Sequence, residues 1–470
     1  MKVIKKYFFV FMFMFSTSLL LISHWVGRMF GSIDVAQIDV FLHNTMAGVD
    51  TRVIYSFIKN IILVSVAILA GLLLILRLAP RYVKFSSSRL PAVTLSAYLL
   101  LTLTYVTLKF DIISQLTATW SNFIEKHYTF VNYEDTEFPA IKKNLILILS
   151  ESLENTFNDP TMFDPALMPE LLELQKNNIS FAPHHQLPGT DQTISGMTAY
   201  FFGIPLKLPI GDNNKYSRFL TFLPNASSIL NILSQAGYDI QLISGANAKF
   251  AGQDNLFRTH APEARVQDFS YFTKTRNDAI NENGWGLGDY YIFDRARERL
   301  EEETKGDRPF FMIVQTIDAH ANTFFIKDDS FRKYGDNRDV FVIQSKMIDD
   351  FVQWIKEQSF SKNTTIVVLG DHLLMQEDLA GVYLIDDHRQ VFNMFINSSI
   401  MNIENNLHKP FSSIDMAPTI LESIGVKLKQ RRFGLGVSLF SNEKTLLERY
   451  EEKYLRNELK QKSQFYNKFY

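Results

Sequence analysis

"NLILILSES", Asn144 to Ser152, sets five uninterrupted aliphatic residues ahead of a Ser-Glu-Ser step. A strand with one wet face would alternate apolar and polar residues; this one does not, so it reads as a strand covered on both faces. Three more runs share the pattern: "YDIQLIS" (Tyr238–Ser244), "PFFMIVQTI" (Pro309–Ile317) and "TTIVVLG" (Thr364–Gly370). Between them lie helix candidates: "PEARVQDF", "GDYYIFDRARERLEEE" and "VFVIQSKMIDDFVQWIKEQ". Apolar strands alternating with helices imply an α/β fold, with a mostly parallel central sheet covered by helices on both faces.

In such sheets chemistry gathers beyond the carboxyl ends of the strands. After the first strand come Ser150, Glu151 and Ser152; after the third, Asp318, Ala319 and His320; after the fourth, Gly370, Asp371 and His372. Taken singly, these are a helix cap, a turn aspartate and a surface histidine. Taken together on one rim, Glu151, Asp371 and His372 form a candidate metal site. Two carboxylates and an imidazole suit one divalent ion: Mn²⁺ in the first place, with Mg²⁺ and Zn²⁺ as alternatives.

The turn "HHQLPGTDQTISGM" (His184–Met197) leads into the apolar "TAYFFGIPL", which looks like a helix start. A hydroxyl there would see backbone amides suited to an anionic phosphoryl group, and metal coordination would activate it as a nucleophile. Thr193 is the preferred candidate, although an N-cap is the ordinary use of a threonine in that place. Thr190 competes with it, and His184 and His185 are within reach along the chain.

The chain has 470 residues, 40 of them Phe, no Cys, and a net charge of -2. There is no basic surplus for nucleic acid, and no thiol nucleophile, disulfide or Cys-ligated zinc. Much of the apolar content lies early, in Tyr7–Val26, Ile61–Leu76 and Pro91–Leu108. Each is about long enough to span a bilayer; a signal peptide would have a shorter apolar run and a small-residue cleavage site. Lys2, Lys5 and Lys6 precede the first run, and Arg77, Arg81, Lys84 and Arg89 separate the second from the third. The positive-inside rule then puts Gly27–Asn60 and everything after Leu108 on the far side from the cytoplasm. The expected organisation is a membrane domain with three transmembrane helices over 1–110, a connecting helix and linker over 111–140, a catalytic domain over 141–440 and a charged C-terminal helix over 441–470.

The segments "LILSESLENTF", "LPGTDQTISGM", "WGLGD", "IDAH", "LGDH" and "IDMAPTILESIG…FGLGVSLF" occur in an order that resembles the membrane-anchored phosphoglycerol transferases of the alkaline-phosphatase/sulfatase superfamily. The resemblance is to the enzymes acting on osmoregulated periplasmic glucans and, more broadly, to lipoteichoic acid synthase. It runs from about Asn144 to Phe440. It implies that Glu151, Thr193, Asp371 and His372 hold the metal, that Thr193 is the nucleophile, and that His320 contacts substrate. It also implies a substrate-side loop, Ser244–Asp254, containing Lys249 and Gln253, and a signature containing Trp285 and Asp289. Relatives carry a basic residue near Gln253; here Lys249 or Arg258 could take its place.

The implied reaction moves phosphoglycerol from phosphatidylglycerol to a hydroxyl of an envelope glycan, at the periplasmic face of a bacterial inner membrane. A phosphoethanolamine transferase acting on lipid A or another envelope sugar is the alternative, but that family carries a Pro-Cys-Met element and disulfides that this chain lacks. A sulfatase proper would need Cys or Ser in a Cys/Ser-x-Pro-x-Arg setting. An inactive envelope scaffold is the reading from another class, and metal content would discriminate it.

Overall fold

The computed structural model describes residues 2–30, 51–78, 90–207, 221–276, 284–304, 306–320, 324–327, 332–376, 378–384, 389–400 and 407–470. It divides into two compact units, one ending at Ala118 and one running from Thr119 to Tyr470.

In the first unit three helices are long and apolar enough to cross a membrane, with candidate spans Tyr7–Arg28, Ile54–Ile75 and Ala92–Lys109. The second helix carries a π-helical stretch, Ile58–Leu63. Polar groups inside the unit meet each other: Trp25 Nε1 donates to Ser56 Oγ at 3.0 Å, and Thr17 and Tyr98 hydroxyls lie 3.0 Å apart. Most of the loops that set the expected orientation lie outside the described residues. The expected connecting helix is broken in two, Ile112–Thr117 and Phe123–His127. Between them Trp120 bridges to Lys462 in an extended stretch.

The second unit is built on six strands: β1 (Asn144–Ser150), β2 (Asp239–Ser244), β3 (Arg265–Gln267), β4 (Phe310–Gln315), β5 (Thr364–Gly370) and β6 (Asn393–Ile396). Their order is β6-β5-β1-β4-β2-β3. All neighbours are parallel except β6, which runs antiparallel to β5 at one edge. "PEARVQDF" is not a helix: its centre is β3, whose Val266 pairs with Leu242. Eight residues with one Pro and no second apolar turn give a helix too little to bury, and an open sheet edge takes the segment instead.

Alternation along β1 divides the core. Leu145, Leu147 and Leu149 face a layer that includes helices Thr193–Phe202, Ile229–Gln235, Gln253–His260 and Met416–Ser423. Ile146 and Ile148 face helices Pro169–Lys176, Asp289–Glu303 and Arg338–Glu357. Both faces of the sheet are therefore dry, which is why the strands read as continuous apolar runs.

The charged C-terminal stretch is not solvated all round. Leu455 and Leu459, one helical turn apart in Glu452–Lys460, are buried in the first of these layers with Tyr466 and Phe469.

Candidate metal and nucleophile site

In-register pairing puts Ser150 opposite Gly370, so the residues that follow β1 and β5 meet at one rim. Glu151, Asp371 and His372 are all buried there, and one ligand atom from each lies within 4.8 Å of the others. His372 Nε2 is 3.5 Å from Glu151 Oε1 and 3.4 Å from Asp371 Oδ2. Thr193 Oγ1 is 3.5 Å from Glu151 Oε2.

Each of these side chains is held from behind. Asp371 Oδ1 accepts from the backbone amides of Ser152 (2.8 Å) and His372 (2.9 Å), which leaves Oδ2 toward the cluster. His372 Nδ1 lies 2.8 Å from the Leu373 carbonyl, so it is the nitrogen that carries the proton. Glu151 Oε1 accepts from Ser152 Oγ at 2.7 Å, and the Glu151 amide donates to Thr316 Oγ1 at 2.9 Å. Ser152 holds a left-handed backbone, with φ at 53°, to make both of its bonds.

Burial raises the Asp371 carboxyl to about 6, and the Glu151 charge adds to the rise. Burial alone would lower His372, but the carboxylates of Asp371 and Glu151 outweigh it and hold its pKa above the usual value. Two packed carboxylates beside an imidazole make a site short of positive charge. Among the described residues His372 Nε2 is buried with no hydrogen-bond partner; a lone pair aimed into that cluster is a ligand geometry. The residues fit one divalent cation.

Thr193 opens the helix Thr193–Phe202. Ser195 Oγ accepts from the Gln192 amide and donates to the Gln192 carbonyl, both at 2.8 Å, which fixes the turn before it. The helix lies hard against β5: a Cβ on Gly196 would come within 2.2 Å of the Asp371 carbonyl oxygen. Tyr200 donates its hydroxyl proton to the Gly370 carbonyl. Thr190 is placed differently. Its hydroxyl, fully buried, donates to the Leu187 carbonyl at 2.8 Å and accepts from the Leu187 amide at 3.2 Å, so it closes the preceding turn.

A second group of residues gathers on the loops after β2 and β4. Trp285, just ahead of helix Asp289–Glu303, lies against His320 with ring centroids 4.3 Å apart and planes tilted by 35°, and Phe250 meets the Trp285 ring edge-on at 5.3 Å. That chain of rings joins the loop containing exposed Lys249 and buried Gln253 to His320. Arg258 points into an exposed ion pair with Asp254 at 2.9 Å. His184 and His185 do not join the cluster: His184 is buried against Phe411, and His185 lies 3.3 Å from Glu452.

Several supporting residues left no mark in the sequence pattern. Gln344, from the middle of helix Arg338–Glu357, donates to the Glu151 carbonyl at 3.2 Å. Glu154 and Arg389 form a buried ion pair behind the rim. Neither stands at a strand end, so strand-end reasoning passed them over.

A three-layer α/β sheet with buried acidic and histidine side chains clustered on its carboxyl rim, and a threonine at a facing helix start, defines a domain of the alkaline-phosphatase superfamily. The chain belongs to the sulfatase family, whose model matches residues 143–426. Among curated proteins it is 29% identical over 309 residues to the phosphoglycerol transferase I of Xanthomonas campestris, covering 64% of this chain and 43% of that one. It is 30% identical over 327 residues to the enzyme of the same name from Citrobacter koseri, covering 66% and 42%. The chain thus spans about two fifths of the length of these relatives. Two solved structures share the fold, each with a TM-score of 0.52. The lipoteichoic acid synthase LtaP of Listeria monocytogenes is 17% identical and covers 68% of this chain and 80% of that one. The lipooligosaccharide phosphoethanolamine transferase A of Neisseria meningitidis is 13% identical and covers 89% and 86%.

Proposed function

We propose that this protein transfers phosphoglycerol from phosphatidylglycerol to a hydroxyl of an envelope glycan, with Thr193 as the nucleophile. The observation that carries the reading is Thr193 Oγ1 beside Glu151 Oε2, at the edge of a buried cluster whose His372 Nε2 has no hydrogen-bond partner among the described residues. The phosphoglycerol donor is favoured over a phosphoethanolamine one by relatives at about 30% identity named for phosphoglycerol transfer. The absence of cysteine weighs the same way. The three apolar helices suit a lipid donor, since they would keep the site near the bilayer.

Glu151, Asp371, His372 and Thr193 would hold one divalent ion, with Mn²⁺ the first choice over Mg²⁺ and Zn²⁺. When bound, it would acidify the threonine hydroxyl and offset negative charge on the phosphoryl oxygens. In the first step Thr193 Oγ1, its proton lost to water, forms a bond to phosphorus, and the bond from phosphorus to the diacylglycerol oxygen breaks. His320 donates a proton to that departing oxygen, and the product is a glycerophosphoryl-threonine. In the second step the acceptor hydroxyl, deprotonated by His320, bonds to phosphorus. The bond to Thr193 breaks, Thr193 Oγ1 regains a proton from water, and the enzyme is restored. Lys249, Gln253 and Trp285 line the substrate side. The direction of charge in the loops favours a bacterial inner membrane with the catalytic domain in the periplasm.

The test is intact-mass analysis of the full chain in detergent after exposure to phosphatidylglycerol and Mn²⁺. The expected result is a gain of one glycerophosphoryl group that Thr193→Ala abolishes and Thr190→Ala retains. An adduct formed only from phosphatidylethanolamine would transfer the protein to the other donor class. No adduct from either lipid, with no bound metal, would leave the scaffold reading.

A further inference from the structure

Asp289 begins the helix Asp289–Glu303 and is 1% exposed, yet its side chain bonds away from its own helix. Its Oδ1 accepts from the backbone amides of Ile317 (2.6 Å) and Asp318 (3.2 Å). In return, Asp318 Oδ2 accepts from the Asp289 amide at 2.8 Å. The two aspartates therefore lash the helix start to the turn after β4, each capping the other's backbone. That turn carries His320, whose amide closes it on the Ile317 carbonyl at 3.1 Å. Four residues before Asp289, Trp285 lies on the His320 ring. The loop between them is pinned by the Leu287 amide donating to the Gly245 carbonyl at 3.0 Å. Among the described residues Asp289 Oδ2 is buried without a hydrogen-bond partner. An ordinary helix-start carboxylate would bond its own first-turn amides; this one spends its acceptor on the histidine turn.

We propose that Asp289 is a positioning residue for His320, fixing through the Asp289–Asp318 exchange the place of the imidazole over Trp285. The proposal rests on the reading of His320 as the group that handles the substrate proton. Burial, with the Asp318 charge beside it, pushes the Asp289 carboxyl well above its ordinary range, so a neutral side chain of the same shape should serve. That separates positioning from charge: Asn keeps the carbonyl oxygen that accepts both amides, and Ala removes it.

The experiment follows diacylglycerol release by the full chain from phosphatidylglycerol vesicles with Mn²⁺. Asp289→Ala, Asp289→Asn, His320→Ala and the double variant Asp289→Ala/His320→Ala are compared. Asp289→Ala should lower kcat about 100-fold, as a misplaced catalytic group does, with Mn²⁺ affinity unchanged by electron paramagnetic resonance. Asp289→Asn should stay within about threefold of the parent, because its acceptor is intact. The double variant should be no slower than His320→Ala alone. Should Asp289→Ala not fold, Asp318→Ala cuts the exchange from its other end and carries the same expectation.

A slow His320→Ala beside a fast Asp289→Ala would overturn the proposal and leave the reading of His320 standing. Multiplying losses in the double variant, or loss of Mn²⁺ binding in Asp289→Ala, would also overturn it. A fast His320→Ala would remove both. If phosphatidylglycerol is not turned over at all, Trp285 reports instead. Its emission, taken as the difference from Trp285→Phe, should become quenchable by acrylamide in Asp289→Ala and stay protected in Asp289→Asn; equal protection in the two would overturn the proposal.

Discussion

Arg389 reaches Glu154 behind the rim shared by Glu151, Asp371 and His372, and both side chains are nearly sealed from water, with 7% and 0% exposure. Arg389 Nε donates to Glu154 Oε2 at 3.1 Å, and its Nη2 bonds both Glu154 Oε1 and the Leu374 carbonyl. Glu154 Oε1 also accepts the Leu374 amide at 2.7 Å. Glu154 lies three residues after Glu151, and Leu374 two after His372. The ion pair thus ties together the two segments that carry Glu151, Asp371 and His372.

Removing the cation leaves a buried carboxylate with too little compensation. Arg389→Ala should therefore destabilise the protein by about 3–5 kcal/mol, whereas the apolar double replacement Glu154→Leu/Arg389→Met should recover much of the loss. Denaturant unfolding of the detergent-solubilised chain reads both. If the double variant were no better than the single one, buried charge would not be the cause.

Gly196 meets Asp371 backbone to backbone, and neither side has a flexible end to move. Gly196→Ala should push the helix Thr193–Phe202 off β5 at a cost of about 1–3 kcal/mol. Because the atom it strikes is the carbonyl of Asp371, a proposed ligand, Mn²⁺ affinity should fall as well. Calorimetric titration with Mn²⁺ checks this; a destabilised variant with unchanged affinity would mean that the rim absorbs the shift.

A cluster short of positive charge should be stabilised by the cation it fits. With free Mn²⁺ at about 100 times its Kd, the folded state should gain about 2.7 kcal/mol, since unfolded chain offers no assembled site. Thermal melting with and without chelator measures the gain. His372→Ala removes the unpartnered nitrogen and should abolish most of the response; an equal response in that variant would place the ion elsewhere.

How legible all this was depends on range along the chain. β1 and β5 were readable to the residue, because a strand covered on both faces is an unbroken apolar run that stops where the chemistry begins. β6 lies at the sheet edge and β3 is three residues long; neither has room for a pattern. Glu151, Asp371 and His372 could be grouped because parallel strands end on one rim. The choice of Thr193 over Thr190 had no such rule behind it. The Thr190 hydroxyl bonds to the Leu187 backbone, a detail of the fold that no local spacing announces. The Glu154–Arg389 and Asp289–Asp318 ties join segments 235 and 29 residues apart, and no local spacing encodes them.

The last prediction concerns a histidine away from the rim. His260 is buried, with Nε2 2.6 Å from the Phe222 carbonyl and Nδ1 2.6 Å from the Asn231 side chain. Burial lowers its pKa from 6.5 to about 4, and the Phe222 carbonyl opposes the fall only in part. The folded state therefore holds it neutral where the unfolded chain would take a proton. Below pH 6.5 the unfolded state binds more protons, so stability falls with pH until about pH 4, where the folded state titrates too. His184, lowered to about 3, acts in the same direction, while Asp415, raised to about 6, acts against it. A difference measurement isolates His260: between pH 6 and 4.5 the parent should lose stability more steeply than His260→Gln, by up to about 1.4 kcal/mol per pH unit. Unfolding free energies of the two chains across that window decide the matter. Parallel profiles would mean that His260 opens to water or gains a partner before it protonates.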